Sequence, residues 1–161
     1  RYARTLEVMR IMAALLDGQP IDFRGEFYAL KLDPPRIRTA SGRRPPFYFG
    51  GLSDDAREAA AKGCDVYLQW PDTMETVAAV KADLDARAAR YGRTMKHGYR
   101  VHVVVRETEE EARAAADRLL SKLDAEAGAA IRAKSLDATS LGVRRQAELR
   151  EASAGDGYVE D

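Results

Sequence analysis

Apolar residues recur at helical spacing from the first positions of the chain. Tyr2, Leu6, Met9, Ala13 and Leu16 form one stripe, and Gly18 and Pro20 then interrupt it. A helix over 2–16 is therefore expected, closed by a glycine that can take the left-handed turn. The period next falls to two. Residues 21–23 and 27–32 flank Arg24-Gly25-Glu26 and read as a short hairpin, a surface decoration, followed by an irregular stretch between Pro34-Pro35 and Pro45-Pro46. From Pro46 the pattern alternates: strand 47–49, helix 54–62, strand 66–70, helix 73–91, strand 99–105, helix 109–123. Alternation of this kind predicts an α/β chain with a parallel sheet covered by helices.

The helix ends carry their own signals. Asp72 with Glu75 and Thr108 with Glu111 have capping-box spacing, and Gly92 stands where the second of these helices should stop. Val77, Val80, Leu84 and Ala88 share a face of that helix; Ala112, Ala115, Ala116, Leu119 and Leu123 share one in the next. Three strand–helix units fit half of a (β/α)8 barrel or half of an open doubly wound sheet, and either places ligands at the carboxyl ends of its strands. Strand character is lost beyond Ala125. Residues 128–150 read as a weakly amphipathic, charged helix, and 125–161 as a mobile insertion segment.

Composition narrows the functional classes. With 161 residues there is material for one domain, burying about 70% of its unfolded surface. Lys plus Arg (26) equal Asp plus Glu (26), so no net field draws the chain to nucleic acid or to an anionic membrane. No apolar run approaches the roughly 20 residues of a membrane span, and a cytoplasmic location is expected. The single cysteine, Cys64, has no internal partner for a disulfide and reads as a small core residue. The chain opens on Arg1 inside a helical pattern and ends on 155–161 without a closing element, so both ends are expected to be cut.

Three places could carry chemistry. In Phe49-Gly50-Gly51-Leu52-Ser53-Asp54 a strand runs into two glycines and a hydroxyl at a helix start. Glycines allow a close backbone approach, and the helix N-terminus offers free N–H groups and a favourable dipole, the outline of a phosphate cradle. The plainer alternative is a tight turn with Ser53 as cap. In Tyr99-Arg100-Val101-His102-Val103-Val104-Val105, alternation sends Arg100 and His102 to one face, costly for a buried strand unless something anionic meets them; otherwise Arg100 pairs with a core carboxylate and His102 is structural. Both would lie nearer the start of that strand than its end, unless it begins earlier. Trp70, at the end of the strand 66–70, could wall a pocket or merely pack. His97 reads as a solvated loop residue. No cluster has metal-ligand spacing, and no Walker or Rossmann fingerprint is present.

Taken in order, residues 47–56, 65–70 and 99–108 resemble successive motifs of the alkanesulfonate monooxygenases, in the bacterial-luciferase-like family of flavin monooxygenases. The likeness extends upstream to Asp22-Phe23-Arg24-Gly25-Glu26 and downstream to 140–146; Arg100-Val101-His102 followed by Arg106-Glu107-Thr108 is its most specific part. It implies a portion of a (β/α)8 TIM barrel, about strands five to seven with their helices, a hairpin and a C-terminal insertion, all one domain over 1–161. It further implies an enzyme that takes reduced FMN (FMNH2) from a separate NAD(P)H-dependent FMN reductase and cleaves a C–S bond with O2, releasing sulfite and an aldehyde. Gly50, Gly51 and Ser53 would then hold the FMN phosphate and Trp70 would line the pocket. Arg100 would stabilise the sulfonate or peroxyflavin anion, with His102 as hydrogen-bonding or acid–base partner.

The likeness has departures. Leu52 stands where relatives commonly carry a second serine, Cys64 does not match the family's active-site cysteine, and the family's early strands and last strand lie outside the chain. A piece with two unpaired edges should by itself aggregate or stay partly disordered, and be inactive. Full-length members are usually homo-oligomers. A relative acting on dimethyl sulfone or another small organosulfur compound, and a phosphate-binding half-barrel module without chemistry, are the alternatives.

Overall fold

The computed structural model describes residues 1–36, 39–122, 124–135 and 140–152. They form two compact units, Arg1–Tyr99 and a second that begins at Arg100.

The first unit opens with α1 (Tyr2–Leu16). It ends as its glycine foretold: Gly18 has φ +78°, Gln19 N–H bonds the Ala14 carbonyl at 2.8 Å and Gly18 N–H that of Leu15 at 3.1 Å, a Schellman closure. The hairpin follows as β1 (Ile21–Arg24) antiparallel to β2 (Ala29–Leu32), with Ile21 opposite Leu32. Its second strand is shorter than the expected 27–32, because residues 26–28 are drawn into the turn. There the Glu7 carboxylate of α1 accepts the N–H groups of Glu26, Phe27 and Tyr28 at 2.7, 3.1 and 3.0 Å. The hairpin is thereby fastened to the helix rather than lying as free decoration.

Next come β3 (Tyr48–Phe49), α2 (Asp54–Gly63), β4 (Val66–Gln69), α3 (Met74–Ala89) and β5 (Lys96–Tyr99). The three strands pair in parallel, as the alternation predicts, and their order is β3-β4-β5, with Tyr48 opposite Val66 and Gln69 opposite Tyr99. One sheet face is covered. Tyr67 and Leu84 pack with Ala60, Cys64 and Val80, and Phe47, Phe49, Met95 and Met9 close around them. On the other face Gly98 leaves room only for the Leu68 side chain, whose Cδ2 lies 2.6 Å from where a Cβ would stand, and Tyr48 is exposed. Val80, Leu84 and Ala88 are buried as the stripe of α3 required, and α3 closes at Gly92 (φ +64°) with Arg93 N–H on the Ala88 carbonyl. Its cap sits one residue later than expected. Thr73, not Asp72, accepts Thr76 N–H (3.3 Å), while the buried Asp72 accepts Thr73 N–H at 2.8 Å.

The expected strand 99–105 is corrected: β5 ends at Tyr99. The reason lies in the register. Gln69, the last residue of β4, faces Tyr99, so beyond that pair no neighbouring edge offers ladder bonds to Arg100–Val105.

The second unit contains α4 (Glu109–Leu120), α5 (Ala125–Ser135) and α6 (Leu141–Ala152), with no strand among its described residues. Thr108 caps α4 through Glu111 N–H (3.2 Å), and Ala115 is buried. Leu119, expected on the buried face, is instead 70% exposed, since the described residues of its unit hold no sheet to cover; Leu123 lies outside the described residues. The expected insertion 125–161 includes α5 and α6, and its residues 136–139 and 153–161 also lie outside.

Candidate functional site

The β3–α2 connection is held from several sides. After Phe49, a Cβ on Gly50 would stand 2.9 Å from the Leu68 carbonyl oxygen, and Gly51, at φ +151°, would carry one 2.8 Å from Ala56 Cβ. Only glycines fit such a path. Ser53 then caps α2, its Oγ accepting Ala56 N–H at 3.2 Å and donating to the Tyr2 hydroxyl at 3.5 Å. The hydrogen bond from Ser53, helped by Arg1, holds Tyr2 below the ordinary tyrosine value despite partial burial.

Two side chains from outside the loop pin its carbonyls. The Tyr67 hydroxyl donates to the Gly51 carbonyl at 2.8 Å, and Arg57 Nε donates to the Leu52 carbonyl at 3.1 Å. Tyr67 is 1% exposed, and burial pushes its pKa up, so it stays a neutral donor. Arg57 also reaches Asp83 (2.9 Å), which Arg87 holds from its own Nε at 2.9 Å. Asp54, in the first turn of α2, is tied to Arg87 at 2.5 Å, and that bond draws its carboxyl below the usual range. The loop's backbone N–H groups and the N-terminal end of α2 make a donor set suited to an oxyanion such as a flavin phosphate, which the Ser53 O–H could join by turning away from Tyr2.

Trp70 follows β4 directly and is 42% exposed at the carboxyl end of the sheet. Beside it Gln69 is buried, its Nε2 without an acceptor among the described residues. Gly50, Gly51, Ser53 and Trp70 thus belong to the first unit, at the carboxyl ends of β3 and β4. Arg100 and His102 belong to the second. Both are exposed, both follow the end of β5 rather than lying near a strand's start, and no described carboxylate pairs with Arg100.

Other expectations divide. Cys64 is fully buried, and desolvation raises its thiol to about 11, in keeping with a core role. His97 is not a loop residue: it lies in β5 on the covered face, with Nε2 2.8 Å from Asp85 Oδ1 of α3. Bonds from Lys81 and then His97 hold Asp85 below its usual value. No cluster of metal ligands occurs among the described residues, and none of their helices is long and apolar enough to cross a membrane. Sequence reasoning passed over Tyr67 and Arg57. Tyr67 had a signal, because a tyrosine on a covered strand face needs a partner for its hydroxyl; Arg57, four residues past the helix cap, had none.

Comparison with known proteins adds the following. Residues 1–159 match the family model described as luciferase-like monooxygenase. A sulfoquinovose monooxygenase of Novosphingobium aromaticivorans is 69% identical over all 161 residues, which span 44% of that protein. Another, from Agrobacterium fabrum, is 46% identical over 99% of the chain and 42% of its own length. Among solved structures, DmoA from Hyphomicrobium sulfonivorans superposes on 94% of the chain with a TM-score of 0.73 at 19% identity, over 41% of its length. A riboflavin lyase crystallised with modified FMN and riboflavin superposes on 74% with a TM-score of 0.65 at 17% identity, over 32% of its length. The chain spans less than half the length of these relatives.

Proposed function

The chain belongs to the luciferase-like monooxygenase family, and from that premise we propose that its protein cleaves the C–S bond of a sulfonate, with sulfoquinovose as the substrate in place of a simple alkanesulfonate. The observation that carries this is the 69% identity to a sulfoquinovose monooxygenase along the entire chain. Sulfoquinovose bears its sulfonate on a primary carbon of a sugar. The reaction class expected for alkanesulfonates therefore stands, with an aldehyde and sulfite as products and O2 consumed, while the carbon skeleton is new.

The family depends on reduced FMN, which supplies the activation of oxygen when bound. The residues of this chain would do the rest. Gly50 and Gly51 keep side chains out of the phosphate's way, and the Ser53 hydroxyl with the loop N–H groups holds it. Trp70, half exposed at a strand end, walls the pocket. In the whole protein Arg100 would meet the sulfonate and His102 would hold or move a proton. A separate NAD(P)H-dependent FMN reductase, a homo-oligomeric assembly and a cytoplasmic setting complete the proposal.

Sulfite release tests it, in the full-length gene product supplied with reduced FMN, O2 and either sulfoquinovose or a mid-length alkanesulfonate. Sulfite from sulfoquinovose, falling by about 100-fold or more in Arg100→Ala, is expected. Release from the alkanesulfonate alone would return the substrate to the simpler class. Methanesulfinate from dimethyl sulfone, or no product at all, would overturn the assignment, and the 161-residue chain alone should release nothing.

A further inference from the structure

The loop that follows β3 has two successive peptide groups whose carbonyls are taken and whose N–H groups are not. Tyr67 holds the Gly51 carbonyl (2.8 Å) and Arg57 the Leu52 carbonyl (3.1 Å), while the N–H groups of Leu52 and Ser53 have no partner among the described residues. These peptides are trans, so the N–H of each points opposite to its carbonyl. Fixing the carbonyls toward Tyr67 and Arg57 therefore fixes the Leu52 and Ser53 N–H groups away from them. Both anchors are themselves braced. Tyr67 is locked among Ala60, Cys64, Val80 and Leu84, and Arg57 is bonded to Asp83 at 2.9 Å. Loop N–H groups in a partly buried position are costly when unpaired, and an oxyanion is the ligand that two adjacent ones accept best.

We propose that Tyr67 and Arg57 are positioning residues for phosphate binding, holding the loop so that Leu52 and Ser53 present their N–H groups to the FMN phosphate without either side chain touching it. This rests on the assignment of the loop to that phosphate. Because the anchors act on the phosphate end only, their loss should weaken FMN and leave riboflavin, which has the same ring and no phosphate, unaffected. A purely structural role would weaken both alike.

The experiment is flavin binding to the full-length protein, followed by fluorescence quenching with FMN and with riboflavin, for the parent and for Tyr67→Phe. The parent should prefer FMN. Tyr67→Phe should cut that preference by about fivefold to tenfold, the worth of one hydrogen bond to a charged-ligand site, with riboflavin affinity held within about twofold. An undiminished preference in the variant, or equal weakening of both flavins, would overturn the positioning role. A parent with no preference would instead defeat the phosphate assignment beneath it. Arg57→Met, which leaves the Tyr67 core untouched, serves if Tyr67→Phe fails to fold; its FMN preference should fall in the same way, and an unchanged one overturns the proposal.

Discussion

Val66–Gln69 and Val101–Val105 are similar apolar runs with opposite fates. In the first, Val66, Tyr67 and Gln69 are buried; in the second, Val103 and Val105 are 72% and 74% exposed. The difference is not in the residues. Val66–Gln69 has β3 on one side, β5 on the other and α2 and α3 over one face, whereas the second run has lost its pairing edge where β4 stops at Gln69. A valine-rich segment becomes a buried strand only when neighbours take up its backbone bonds and its side chains together.

That contrast can be broken most forcefully in the covered core. Leu84→Ala should cost the full-length protein about 2–5 kcal/mol in urea unfolding, since Leu84 is fully buried against Tyr67 and Cys64. A loss below about 1 kcal/mol would mean that the helix layer is not the core. Asp65, just before β4, comes next. Its carboxylate accepts Arg44 at 2.6 and 3.0 Å and Phe47 N–H at 2.7 Å, and the bonds from Arg44 foremost hold it below its usual value. Asp65→Asn should cost about 1–2 kcal/mol near neutral pH. Because the folded carboxyl is the stronger acid, its contribution is complete above the ordinary Asp value and drains away as pH falls through the lower folded one. The gap between parent and variant should therefore narrow below about pH 4, seen by unfolding titrations across that range.

Smaller effects sharpen the comparison. In the full-length protein Val103→Ala should cost about 1–2 kcal/mol if neighbours cover the run there; a change under about 0.5 kcal/mol would show that the run stays exposed there too. Ser53→Ala should lower stability by about 1 kcal/mol and Thr108→Ala by less, because Ser53 caps the helix with four buried alanines while Thr108 caps one with a single buried residue among those described. Least of all, Gln69→Met should be neutral or slightly stabilising, as it removes a buried amide nitrogen that has no acceptor among the described residues. A clear loss on that change would reveal an acceptor that Gln69 meets in the whole protein.

Much of this was legible beforehand, and the legible parts share a cause. The stripes of α1 and α3, the stops at Gly18 and Gly92, and the caps Ser53 and Thr108 all follow from interactions within a few residues or from one period repeated along an element. The turn at Gly50, Gly51 and Ser53 was legible for the same reason: it is written in adjacent positions. What the chain could not state in advance was which distant groups would meet. Glu7 finding three hairpin amides 19 to 21 positions away, Tyr67 reaching back 16 residues to the Gly51 carbonyl, and His97 turning to Asp85 all depend on how helices settle against strands. So does the end of β5. Local pattern sets periodicity and turns, but the length of a strand, the burial of a face and the partner of a polar group are set by neighbours brought together in space, and only the tertiary structure decided those.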